Sequence, residues 1–189
     1  MSLFVDSTRE TTKVSGSLVG GRCTALKALL GVDVYERALA TLDAEARIGI
    51  EQCTALSWVP VADTERLVLA CAEAANRDPH EVNVASARRA TEASFRTVWR
   101  LLLRIATDDM LLSRTARAYD RAYDRGKIEV HLNAGSGGSC ELTGRPEMSQ
   151  IGRDAFGVGI QTVLELGGRG GVTVHGRPTA DGAIYTVHR

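Results

Sequence analysis

Aromatic side chains make up only 5% of this 189-residue sequence, and 23 Lys and Arg set against 23 Asp and Glu leave no net charge. The first scarcity limits how many large anchors any one pocket can have. The second removes the global field that would draw the chain towards polyanions or anionic membranes, so nucleic acid is not an expected partner. Long apolar runs are missing too: Val98 to Leu103 is broken by Arg100, far short of the roughly 20 residues that span a bilayer, and no membrane span is expected. Residues 1–20 lack the apolar stretch of a secretory signal and carry Asp6, Arg9 and Glu10 where it would lie, which points to the cytoplasm. The cysteines Cys23, Cys53, Cys71 and Cys140 form no Cys-x-x-Cys pair. That excludes the common structural zinc spacings and leaves reduced, buried thiols as the expected state.

What is present suffices for one sizeable core, since 44% of the residues are apolar and 24% are charged, the balance of an ordinary globular domain. Residues 1–20 read as a flexible arm or edge strand, and residues 21–189 as a single domain. Two short helices are expected between Arg22 and Thr41, broken at Gly31, and a third from an Asp43 cap to about Leu56. Pro60 forces Ser57 to Val61 into an extended form, after which Asp63 or Thr64 caps a helix ending near Asn76. Phe95, Val98, Trp99, Leu102 and Ala106 recur at helical spacing and predict a central core helix over 85–106, whose apolar surface is widened by Leu101, Leu103 and Ile105. A further helix runs from about Asp108 towards Gly126. At Lys127 the period changes to two, predicting a hairpin over residues 127–143, a helix from about Ser149 to Leu166, and a closing hairpin from Val172 to His188. Helices followed by hairpin, helix and hairpin define an α+β chain: an N-terminal helical bundle leading into an antiparallel sheet.

Chemistry is harder to find. The glycine-rich segments 135–138 and 167–171 lack the strand-before, helix-after setting of a phosphate loop and read as turns. His131, His175 and His188 sit in predicted strands without paired-ligand spacing, so no metal site is assigned, and His80 reads as a surface residue. Arg96, Arg100 and Arg104 form a basic stripe that reads as a solvated face, partly paired through Glu92 and Arg96. No nucleophile elbow or relay spacing appears; no catalytic residue, cofactor or metal ligand is assigned, and the chain reads as a binding module rather than an enzyme. The repeat Arg117-Ala118-Tyr119-Asp120, Arg121-Ala122-Tyr123-Asp124 sets two tyrosines one helical turn apart. With Phe95 and Trp99 they make the one pocket the sequence proposes: Phe95, Trp99, Tyr119 and Tyr123.

Five segments in order, Leu29-Leu30-Gly31, Leu42-Asp43-Ala44-Glu45, Ser57-Trp58-Val59-Pro60, Tyr123-Asp124-Arg125-Gly126-Lys127 and Leu142-Thr143-Gly144-Arg145-Pro146, resemble a family of uncharacterised domains of about this length abundant in myxobacteria. The match runs from about Ala25 to the C-terminus. That family is itself similar in organisation to haem-nitric-oxide-binding, 4-vinyl-reductase and TRAPP-type domains. The resemblance implies a module that dimerises, holds a small apolar ligand, or serves as an adaptor in signalling and trafficking assemblies, with no conserved reaction. Two departures set the chain apart: the Tyr-x-Ser-x-Arg signature of the haem-binding relatives is absent, and no cysteine follows Cys140. Haem and zinc are therefore not expected. The leading expectation is a homodimeric sensory or adaptor module with a protein partner; the alternative is a small-molecule-binding domain with an internal apolar pocket.

Overall fold

The computed structural model describes residues 11–95, 108–133 and 137–188. Two strands and five helices come first: β1 (Lys13–Ser15), α1 (Gly16–Leu30), α2 (Val32–Ala40), α3 (Ala44–Glu51), β2 (Trp58–Pro60), α4 (Val61–Ala74) and α5 (Pro79–Ser94). Next come α6 (Asp108–Ala122), β3 (Lys127–Asn133), β4 (Gly137–Thr143), α7 (Gln150–Leu166), β5 (Thr173–Thr179) and β6 (Gly182–His188). The architecture is α+β, as the change of period at Lys127 predicts.

Local chemistry sets the helix ends. Gly31, at φ 90°, ends α1 and sends its amide to the Lys27 carbonyl at 2.9 Å. The carboxylates of Asp43 and Asp78 accept from Ala46 and Glu81 amides, and the Ser149 hydroxyl accepts from the Gly152 amide, each at 2.9 Å, capping α3, α5 and α7. Three boundaries differ from expectation. Helix α3 stops at Glu51, because the chain turns there to bring Ser57 back onto the start of α1, where its carbonyl accepts from the Gly16 amide at 2.7 Å. Helix α4 starts directly after Pro60, with no side-chain cap: Thr64 bonds the Val61 carbonyl, and Asp63 binds Arg66 instead. Helix α5 ends at Ser94, while the remainder of the expected core helix, with Trp99, the stretch 101–105 and the Arg96, Arg100, Arg104 stripe, lies outside the described residues. Residues 13–20, read by sequence as part of a flexible arm or edge strand, form β1 and the opening turn of α1, with Val14 and Val19 buried.

The four-stranded sheet has the order β3-β4-β6-β5, antiparallel throughout. Its inner face presents Cys140, Leu142, Ala183, Tyr185 and Val187 to α7 and buries them. The outer face carries Glu129, His131, Glu141, Thr186, His175 and His188, a polar and inward-apolar alternation that fits an antiparallel sheet with one solvated side. A second core lies within the helical half, where Val19, Leu26, Tyr35, Leu39, Leu67, Val68, Cys71 and Val82 pack together. Among the described residues no helix is long and apolar enough to cross a membrane.

Candidate functional site

Where the two cores meet, the contact is polar and aromatic rather than apolar. Tyr123, the first residue beyond α6, packs against both cores. Its amide still reaches the Tyr119 carbonyl at 2.9 Å, so the helical geometry carries on for one residue and the two rings stack, with centroids 4.7 Å apart and planes at 23°. Phe156 of α7 meets Tyr119 edge-on at 5.8 Å and Tyr185 at 5.1 Å, a continuous aromatic run from the seam to the sheet.

Arg145 is 3% exposed and crosses this seam. Its Nε donates to Glu147 Oε1 at 2.9 Å, its Nη1 to the Tyr119 hydroxyl at 3.2 Å, and its guanidinium lies 5.2 Å from the Tyr123 ring centre. Burial works against its charge, but Tyr119, Glu147 and Tyr123 outweigh that and raise its pKa. Tyr119 in turn donates to the Arg125 carbonyl at 2.7 Å, and desolvation, opposed by Arg145, pushes its phenol up to about 12. Strand β1 straps the seam from outside. The Thr12 hydroxyl donates to Glu147, the Lys13 amide to Asp124 Oδ1, and Val14 bridges Tyr123.

A second arginine enters from α1. Arg22 Nη2 donates to the carbonyl and side-chain oxygens of Asn83, which is fully buried and donates its own amide to the Ile151 carbonyl at 2.9 Å. The Nε of Arg22 is shielded from solvent and has no hydrogen-bond partner among the described residues. Desolvation pulls Arg22 down to about 10, against opposing help from Tyr123, Cys23 and Cys71. Nearby, burial raises the Glu65 carboxyl, opposed by the Ser149 hydroxyl and by Arg145. Two desolvated guanidiniums, Arg22 and Arg145, thus stand in the seam, the second paired with Glu147.

Of the four residues proposed from sequence, Tyr119 and Tyr123 stand together in this seam. Phe95, at the C-terminal end of α5, packs on the sheet core that also holds Tyr119, and Trp99 lies outside the described residues. Arg22, Asn83, Glu65, Phe156 and Tyr185 were missed, and Arg145 figured only as part of a motif. Polar side chains whose partners sit far along the chain, such as Arg22 and Asn83 across 61 positions, leave no periodic trace to read.

No family model matches the sequence, and no curated protein matches it either. Solved structures do. A point mutant of the T. Tengcongensis H-NOX superposes with a TM-score of 0.68 at 13% identity, covering 92% of this chain and 96% of that one. An oxygen-binding H-NOX domain related to soluble guanylate cyclases, in its oxygen complex, gives 0.66 at 13% identity with 92% of each chain covered. The Fe(II) unliganded H-NOX of K. algicida gives 0.65 at 10% identity, covering 92% and 95%. The chain therefore has the H-NOX fold. This corrects the leading expectation from sequence: the domains that share the fold are described as binding oxygen or carrying iron, not as TRAPP-type adaptors, and the adaptor reading falls.

The residues present do not fit a histidine-ligated haem. All four histidines lie among the described residues, and each sits on the outside: His80 beside Asp154, His131 beside Glu141, and His175 and His188 on the solvent side of the sheet. The segment 96–107 contributes no His, Cys, Met or Tyr. Cys71 and Cys140 are fully buried, with thiols pushed up to about 11 by desolvation, which keeps them protonated and poor as thiolate ligands.

Proposed function

We propose that the chain is a cytoplasmic sensor domain that binds a small organic molecule, with an apolar body and one acidic group, at the seam between its two cores, and that it does so without histidine-ligated iron. The observation that carries this reading is the seam itself. Two desolvated arginines, one whose Nε has no hydrogen-bond partner among the described residues, stand beside stacked tyrosines in a fold shared with an oxygen-binding domain. A domain evolved only for stability gains more from an apolar interface than from such groups. Phe95, Tyr119 and Tyr123 supply the apolar wall and Arg22 the charge; Trp99, the fourth residue of the expected pocket, lies outside the described residues. The same reading takes the chain as one domain that begins at β1 rather than at residue 21, since β1 pairs with β2 and Tyr123 packs on both cores, and takes the chain as kin to the myxobacterial family that its five motifs resemble.

Native mass spectrometry and an absorption spectrum of protein purified without added ligand test the proposal. An organic mass that co-purifies and is lost in Arg22→Ala, with no Soret band, is the expected result. Stoichiometric iron porphyrin in the purified protein would refute the ligand class. No co-purifying mass, together with no thermal shift from a panel of aliphatic and aromatic carboxylic acids, would remove the binding function.

A further inference from the structure

We propose that His175 and His188 form a binding site for a divalent transition-metal ion on the outer face of the four-stranded sheet, independent of the seam. Strands β5 and β6 pair with His175 opposite Thr186 and His188 opposite Thr173, so the two imidazoles are diagonal neighbours on one face. Their ring centres are 5.6 Å apart with planes at 58°. A metal bound about 2 Å from each donor nitrogen lies roughly 3 Å from each ring centre, so two imidazoles sharing one ion stand about 5–6 Å apart. The observed 5.6 Å falls within that span.

The other two histidines make the contrast. His80 lies 3.0 Å from Asp154 and His131 lies 3.9 Å from Glu141, each facing a carboxylate. His175 and His188 face each other instead, beside the neutral side chains of Thr173 and Thr186, and among the described residues neither meets a carboxylate. An imidazole binds a metal ion through a ring nitrogen, so one cation held between the two rings is drawn to both. Imidazole donors suit Zn²⁺, Ni²⁺ and Cu²⁺ rather than Ca²⁺ or Mg²⁺. Among the described residues no group of three or more protein ligands occurs, so water or an external donor completes the shell and the ion stays accessible.

Titration calorimetry with Ni²⁺ on the wild-type chain and on three variants, His175→Ala, His188→Ala and His131→Ala, tests the site, with circular dichroism to check folding. All three positions are exposed, so folding is expected to survive. The wild type and His131→Ala should bind a single ion with equal affinity, and each of the other two should weaken binding by at least about tenfold. Added Ni²⁺ should raise the melting temperature of the wild type and leave that of the double variant His175→Ala, His188→Ala unmoved. Unchanged affinity in the double variant, or no binding to the wild type at millimolar Ni²⁺, would overturn the proposal.

Discussion

Gly126 shows what a single position contributes at the seam. It has φ 89°, and a Cβ there would lie 2.6 Å from the Tyr119 hydroxyl and 2.9 Å from both the Thr143 carbonyl oxygen and Arg145 Cγ. Gly168, at φ 84°, has nothing within 4 Å. Gly168→Ala therefore isolates the cost of the left-handed backbone, about 1–2 kcal/mol. Gly126→Ala adds overpacking, for a total of about 3 kcal/mol. Urea denaturation of the two variants measures the difference, and equal losses would mean that the seam yields freely. The tyrosine hydroxyls make a second contrast. Tyr119 donates to the Arg125 carbonyl and accepts from Arg145, whereas the Tyr185 hydroxyl has a methionine sulfur at 3.7 Å. Tyr119→Phe removes both of these hydrogen bonds and should cost about 2 kcal/mol. Tyr185→Phe should cost less than about 0.5 kcal/mol by the same measurement.

Between elements, the contact of α5 with α7 is clasped at both ends, by Asn83 to the Ile151 carbonyl and by a bidentate pair from Arg88 to Glu165 at 2.7 and 3.0 Å. Arg88, aided by Gln161 and opposed by desolvation, holds the Glu165 carboxyl below its ordinary 4.5. The stability this adds is complete above the unfolded value and fades as pH falls through the lower folded one. Both groups are partly exposed, which limits the effect to about 1 kcal/mol. Glu165→Gln should lose that amount at neutral pH and converge with the wild type in acid; parallel stability curves across the acid range would show that the clasp contributes nothing. Elements of this size were largely legible in the sequence, because Gly31, Asp43, Pro60 and the alternation after Lys127 act through the chain's nearest neighbours. The start of α1 was not: Gly16 to Gly21 carries three glycines and no apolar period, and becomes helical through tertiary contact, with Ser57 fixing its first amide.

For the molecule as a whole, sequence patterns predict the order of elements but not the way the halves meet, since the contacts that cross the seam span long separations. Tyr119 and Tyr123 were visible because they are one turn apart; Arg145 reaches Tyr119 over 26 positions and Thr12 reaches Glu147 over 135. This wiring makes the two cores interdependent. Arg145 holds Glu147, which is gripped by Thr12, the residue before β1, and β1 is in turn paired with β2 in the helical half. In the wild type, amides of α4 and of β6 should therefore exchange with deuterium through one shared global opening. Arg145→Met keeps the aliphatic bulk while cutting the links to Glu147 and Tyr119, at a cost of about 2 kcal/mol. It should also separate the two halves, so that β6 exchanges through a lower-energy opening while α4 retains protection. If both elements lost protection equally, the packing of Tyr123 on both cores would be sufficient to couple them, and the arginine would act on stability alone.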